Sequence, residues 1–166
     1  MACHPTSERV QNFEKVPLAL FRHDSVMPVG QNSAREVMAL TIREIAEILD
    51  AKWVCCEEEA EREVRYAFAS DMMSDVLAHV GEDTMILTGL INSQSVRTAE
   101  MLDVPCLVFV RGKIPHQDTV QRAKQIGLPT LLTTCSLFEA CGRLYTAGMG
   151  ACKLEEYNGD ADDDDD

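Results

Sequence analysis

Nowhere in the chain do apolar residues run for the roughly 18 positions that a membrane-spanning helix needs, so an integral membrane protein is not expected. The first residues, Met1–Ala19, lack the charged-then-apolar order of an export leader, because charged and polar side chains are scattered through them. The Cys-x2-Cys spacings that make zinc and iron–sulfur sites legible are missing. The adjacent Cys55 and Cys56 would point to opposite sides of a strand. No metal site and no cofactor are expected. The phosphate-cradling Gly-x-x-x-x-Gly-Lys-Ser/Thr loop is also absent, which removes kinase chemistry of that type. Basic charge is scarce: 15 Lys and Arg stand against 28 Asp and Glu, a net charge of −13. Such a surface repels phosphate backbones, so nucleic acid is not an expected partner. Nucleophilic catalysis needs a base positioned beside a Ser or Cys, and the histidines (His4, His23, His79 and His116) mark no such pairing. No catalytic residue is legible.

What remains is an ordinary globular composition. A chain of 166 residues with 46% apolar content suits one domain with a real core and no need of disulfides or metals. The cysteines number seven, an odd count, and several fall inside apolar patterns. Cys106 opens Cys-Leu-Val-Phe-Val, and Cys141 shares a helix face with Phe138 and Leu144. Reduced thiols packed as small hydrophobes are expected, in a cytoplasmic protein.

Three regions separate by composition. Residues 1–38 carry Pro5, Pro17 and Pro28 without a sustained period and read as a loosely ordered extension. The stretch Arg35–Met38 can be encoded by purine-rich codons resembling a bacterial ribosome-binding site, which suggests a translation start near Met38 or Leu40. Residues 39–150 form the expected α/β domain. Residues 151–166, with Asp160 and Asp162–Asp166, read as a solvated, disordered acidic tail.

Within the domain the punctuation is regular. Thr41-Ile-Arg-Glu44 is a capping box ahead of the helical face Ile42, Ile45, Ala46 and Leu49. Trp53–Cys55 suggests a short strand. Val64–Ala69 is strand-like and ends at Ser70-Asp71, which are expected to cap a helix carrying Met72, Met73, Val76, Leu77 and Val80 up to Gly81. The unit then repeats. Strands are expected at Thr84–Thr88, Cys106–Val110 and Thr130–Thr133, and helices at about Ser93–Leu102 and Gln117–Ile126. A second capping box, Ser136-Leu-Phe-Glu139, opens the last helix. Continuously apolar strands alternating with helices predict a mostly parallel sheet with helices on both faces.

Several segments carry a family resemblance: Leu40–Ala51, Ala69–Ala78, Leu87-Thr-Gly-Leu90, Val96–Met101 and Phe138–Tyr145. On these, residues 41–148 resemble the DRTGG domain family, related to the non-catalytic N-terminal domain of HPr kinase/phosphorylase. Where that family carries Thr-Gly-Gly, this chain has Thr88-Gly89-Leu90. The resemblance implies an HPr kinase N-terminal-domain-like fold and a dimerisation or regulatory role. Such domains accompany phosphate acetyltransferases and the nucleotide-binding regulatory regions of pyrophosphatases. Stand-alone members encoded near iron-hydrogenase genes imply an accessory part in redox metabolism.

In open parallel sheets, ligands settle outside the carboxyl ends of the strands. The residues expected there are Ser70, Asp71 and Ser74 after one strand, and Thr88, Gly89, Asn92 and Ser93 after the next. Arg111, Gly112 and Lys113 follow the third strand, and Thr133, Thr134 and Ser136 the fourth. Hydroxyls beside helix starts, with an Arg-Gly-Lys, suit an anionic group; the same residue types also serve as plain helix caps. Asp71 and Asp75 stand four apart and are expected on one helix face, favoured there by the helix dipole. The expected function is a non-catalytic regulatory module, a homodimer in keeping with the role the resemblance implies, that senses a nucleotide-like or phosphorylated small molecule. A pure dimerisation or adaptor protein docking to a partner enzyme is the alternative, and an enzyme acting on a phosphorylated substrate comes third. The Met72–Met73 pair and the helix with Phe138 and Tyr145 are candidate dimer faces.

Overall fold

The computed structural model describes residues 36–152. In chain order the elements are β1 (Leu40–Thr41), α1 (Ile42–Ile48), β2 (Lys52–Cys55), β3 (Glu63–Val64) and β4 (Tyr66–Ala69). They continue with α2 (Met73–His79), β5 (Thr84–Thr88), α3 (Ser93–Met101), β6 (Leu107–Phe109) and α4 (Gln117–Gln125). The last are β7 (Thr130–Leu132), α5 (Leu137–Thr146) and β8 (Gly150–Ala151). No helix among the described residues is long and apolar enough to cross a membrane.

The main sheet runs β2-β7-β6-β5-β4-β8, parallel throughout except for β2, which pairs antiparallel with β7. A small antiparallel pair, β1 with β3, stands apart from it. The steps β4 to β5 to β6 to β7 all go the same way across the sheet. Right-handed crossovers therefore put α2, α3 and α4 on one face. The connection from β7 returns past three strands to β8, so α5 covers the opposite face together with α1. The side chains follow this division. Met85, Leu87, Val108 and Leu131 pack with Ile42, Ile45, Ala140 and Leu144. Ile86, Leu107 and Phe109 pack with Met73, Val76, Val96, Ala99 and Ala123. Successive residues of a strand thus feed opposite cores, as the pleat requires.

Three details depart from the expected pattern. The run Val64–Ala69 is two strands rather than one. Val64 pairs with Leu40, while Tyr66 onward joins the main sheet, and the amides of Arg65 and Tyr66 both donate to the Asp83 carbonyl, at 3.3 and 3.1 Å. Ser70 and Asp71 do not cap α2: Met72 holds the N-cap position with no side-chain bond. The Thr41–Glu44 box is complete, but at the second box only the Ser136 hydroxyl is engaged, accepting from the Glu139 N–H at 3.2 Å. The Glu139 carboxylate instead meets Arg143 at 2.6 Å, one turn ahead.

The domain also reaches past the boundaries expected for it. β8 carries the sheet to Ala151, and the Cys152 N–H donates to the Ala67 carbonyl at 3.1 Å. The Met38 N–H donates to the Gly148 carbonyl at 3.1 Å, so the segment entering β1 lies on the end of α5. A two-residue strand carries no readable period, which is why β8 left no trace in the hydropathy pattern. The rest of the extension 1–38 and of the acidic tail 151–166 lies outside the described residues.

Among the described residues, Phe109 is the bulkiest side chain to be fully enclosed. Phe109→Ala is expected to lower the unfolding free energy by about 3–5 kcal/mol in urea titrations. Met101→Ala, on the exposed side of α3, should stay within about 0.5 kcal/mol of the parent.

Candidate functional site

The loops after β6 and β7 leave neighbouring strands toward opposite faces, since α4 and α5 lie on opposite sides of the sheet. That divergence opens the crevice in which α/β folds hold ligands. Here its floor is closed by the chain's own backbone. Arg111 (φ +67°) and Gly112 (φ +63°) both adopt the left-handed conformation. Their amides donate to the carbonyls of Cys135 (2.8 Å) and Thr133 (2.9 Å). A left-handed arginine is strained, and these two bonds hold it. Thr133, itself buried, ties the turn to α1: its hydroxyl donates to the Leu49 carbonyl at 2.6 Å and accepts from the Cys135 N–H at 3.1 Å.

Held in this way, the Arg111 side chain crosses the end of β5 and lies on Gly89. A Cβ placed on Gly89 would come 1.6 Å from Arg111 Nη2, so no other residue permits the guanidinium to rest there. Beyond Gly89 the guanidinium meets Asp71, Nη2 to Oδ2 at 2.5 Å. The other carboxylate oxygen accepts from the Gly89 N–H at 2.6 Å and the Thr88 hydroxyl at 3.1 Å. The direction of the Thr88 proton follows from its second bond. Its oxygen accepts from the Leu90 N–H at 3.1 Å, which leaves the hydroxyl hydrogen for Asp71.

One carboxylate is thus clasped by a guanidinium, a backbone amide and a hydroxyl drawn from the carboxyl ends of two adjacent strands. Burial pushes the Asp71 carboxyl upward, but the Gly89 amide, Arg111 and Thr88 outweigh it and hold the group below its ordinary value. The arrangement binds an anion by charge-assisted hydrogen bonds.

The expected site residues divide into two sets. Asp71, Thr88, Gly89 and Arg111 converge. Asn92 caps α3, its side chain accepting from the Gln94 N–H at 3.0 Å, and Ser136 caps α5. The Ser70 hydroxyl serves its own turn, accepting from the Met72 N–H at 3.0 Å. Ser93 begins α3, and Lys113 and Thr134 stand exposed outside the clasp. The expectation that Asp71 and Asp75 share a helix face fails, because Asp71 precedes α2 and turns toward β5. Cys135 was not among the expected site residues, and its part here is played by a carbonyl, which carries no side-chain signal.

Cys55, Cys56, Cys106, Cys135 and Cys141 are free, and no three of the described His, Cys, Asp and Glu residues converge as metal ligands. Burial pushes the Cys106 and Cys141 thiols up, and Cys56 up to about 12.

A second feature lies on the other face. Between α5 and the β4–β8 edge is a cavity of about 340 Å³, floored by Ala67, Ala69, Leu87 and Leu144 and flanked by Phe138 and Tyr145. Phe138 is 91% exposed. Of the two methionines considered for a dimer face, Met73 is buried in the core and only Met72 is exposed.

Residues 44–147 match the DRTGG domain. The chain belongs to the DRTGG domain family. Among solved structures, this DRTGG domain is similar to the CBS and DRTGG domains of the regulatory region of a Clostridium perfringens pyrophosphatase, solved with its activator diadenosine tetraphosphate. The TM-score is 0.54 at 15% identity, over 71% of this chain and 51% of that one. The chain therefore spans about half the length of that regulatory region, and the likeness shows the fold. No curated protein matches it significantly.

Two outcomes test the site. Because the folded pKa of Asp71 is lowered, its contribution is present above the unfolded value of about 3.9 and is lost as pH falls through the folded value. The stability gap between the parent and Asp71→Asn should be widest at neutral pH and shrink below about pH 4; in this water-accessible pair it stays near or below about 1 kcal/mol. Thr133→Val takes the acceptor from the Cys135 amide and leaves the Leu49 carbonyl only the weak Cys135 thiol at 3.7 Å, and should cost about 1–3 kcal/mol in chemical denaturation.

Proposed function

We propose that this DRTGG domain is a non-catalytic regulatory module that senses a small phosphorylated or nucleotide-like ligand at the carboxyl ends of β5 and β6. The observation that carries the reading is the set of donors around Asp71. A rigid amide, an oriented hydroxyl and a guanidinium laid over a glycine make a receptor for anionic oxygen. The pyrophosphatase regulatory region, with its nucleotide activator, supports a regulatory use of this fold. The thiols of Cys56, Cys106 and Cys141, pushed up by burial, favour binding over turnover.

The module acts as a homodimer in the cytoplasm on this reading. The α5 face supports pairing: an exposed aromatic knob beside an apolar hollow suits an isologous contact, in which each copy offers what the other receives. The same face supports the alternative, an adaptor that docks to a partner enzyme through Phe138 and Tyr145 without a small ligand.

A thermal-shift series against nucleotides, sugar phosphates and acetyl phosphate tests the sensor, since a ligand specific for the folded state raises the melting temperature by mass action. A dose-dependent rise that Arg111→Ala removes is the expected result. No rise with any of these compounds, with a stable dimer by light scattering that Phe138→Asp dissolves, would replace the sensor with the adaptor.

A further inference from the structure

The anion receptor described above is already filled by the protein's own carboxylate. The three donors belong to parts of the fold that cannot easily move. Thr88 and Gly89 are buried at the end of β5, and the hydroxyl is oriented by the Leu90 amide. The Arg111 turn is fastened by the Cys135 and Thr133 carbonyls. The acceptor is different. Asp71 lies on the short bend between β4 and α2, with its side chain 44% exposed. It makes no cap to α2, so its departure costs the helix no side-chain bond. Asp71 is also the one acceptor that the Arg111 side chain meets among the described residues, and that side chain is itself 41% exposed. Water and solutes therefore reach both members of the pair.

We propose that Asp71 is a built-in competitor for the ligand, and that a phosphate group binds by taking its place on Gly89, Thr88 and Arg111. Phosphate oxygens have the same acceptor character as the carboxylate and present more of them to a guanidinium that retains unused N–H groups. The displaced Asp71 carries the start of α2 with it, so occupancy of the receptor is reported as a shift of the β4–α2 bend. The carboxylate sets a threshold: only an anion that outcompetes a pre-positioned Asp71 occupies the receptor. This inference rests on the sensor reading and adds the means by which that sensor is kept quiet.

The test uses the full chain and inorganic pyrophosphate as the probe, with affinity measured by calorimetry. Asp71→Ala empties the receptor and should tighten pyrophosphate binding by roughly tenfold or more. Arg111→Ala, alone or with Asp71→Ala, should abolish it. Asp75→Ala removes the same charge from α2 without touching the receptor and should leave the affinity within about twofold. Should Asp71→Ala fold poorly by circular dichroism, Asp71→Asn answers the same question, with a smaller gain in affinity.

Equal tightening by Asp75→Ala would mean that only bulk charge was removed, which overturns the competition. An unchanged affinity in the Asp71 variants, with Arg111→Ala still weakening binding, overturns the competition but leaves the anion receptor standing. No binding of pyrophosphate even to Asp71→Ala overturns both.

Discussion

All five residues of β5 are buried, Thr84 and Thr88 included, and a strand in that position must be covered on both faces. Three crossovers in one direction cover only one of them. The chain satisfies the other by returning from β7 to the far side of β4, which brings α5 beneath the sheet beside α1. That reversal is what parts the loops after β6 and β7 and creates a crevice at their carboxyl ends. The candidate site lies one strand away from that point, at the ends of β5 and β6, where the Arg111 side chain crosses to Gly89 and Asp71.

The crevice is not left open. Backbone donors of Arg111 and Gly112 meet backbone acceptors after β7, so polar groups that would otherwise lie unpaired are satisfied within the chain. The cost is a left-handed arginine, and the return is a side chain directed along the strand ends rather than into solvent. Gly89 then matters for what it lacks. Its absent Cβ leaves the only space in which the guanidinium can approach the β5 amide and the Asp71 carboxylate together. The second glycine of the family's Thr-Gly-Gly is Leu90 here, and its side chain packs against the α2–α4 core. Close approach therefore occurs at the first glycine alone.

Apolar surface is distributed unevenly. Met72, Leu77 and Met101 are exposed on the α2–α4 side, whereas on α5 the exposed Phe138 and Tyr145 flank a hollow at the sheet edge. A face of this kind, at the pole-to-edge border of a small domain, suits association, while the clasp at the strand ends suits a small anion. The two features lie on separate parts of the sheet: the clasp at the ends of β5 and β6, the hollow beside β4 and β8.

Local chemistry was enough to place most of the elements. Thr41 and Glu44 closed their box as written, β5 and β6 fell within the apolar runs that announced them, and α3, α4 and α5 began at the positions expected for them. The parallel sheet followed from alternating apolar strands and helices. Other features depended on contacts between distant parts of the chain. Ser70-Asp71 has the composition of a helix cap, yet Asp71 found stronger donors in Gly89 and Arg111, which are 18 and 40 residues away. Val64 and Tyr66 parted because their partners lie in different sheets, and β8 exists only because Tyr66 and Ala67 offer an unfilled edge. Propensity and periodicity are properties of neighbours in sequence, so the sequence by itself determined the helices, the strands and the class of fold. Which acid holds which base is decided by distance in space, and that only the tertiary structure could settle.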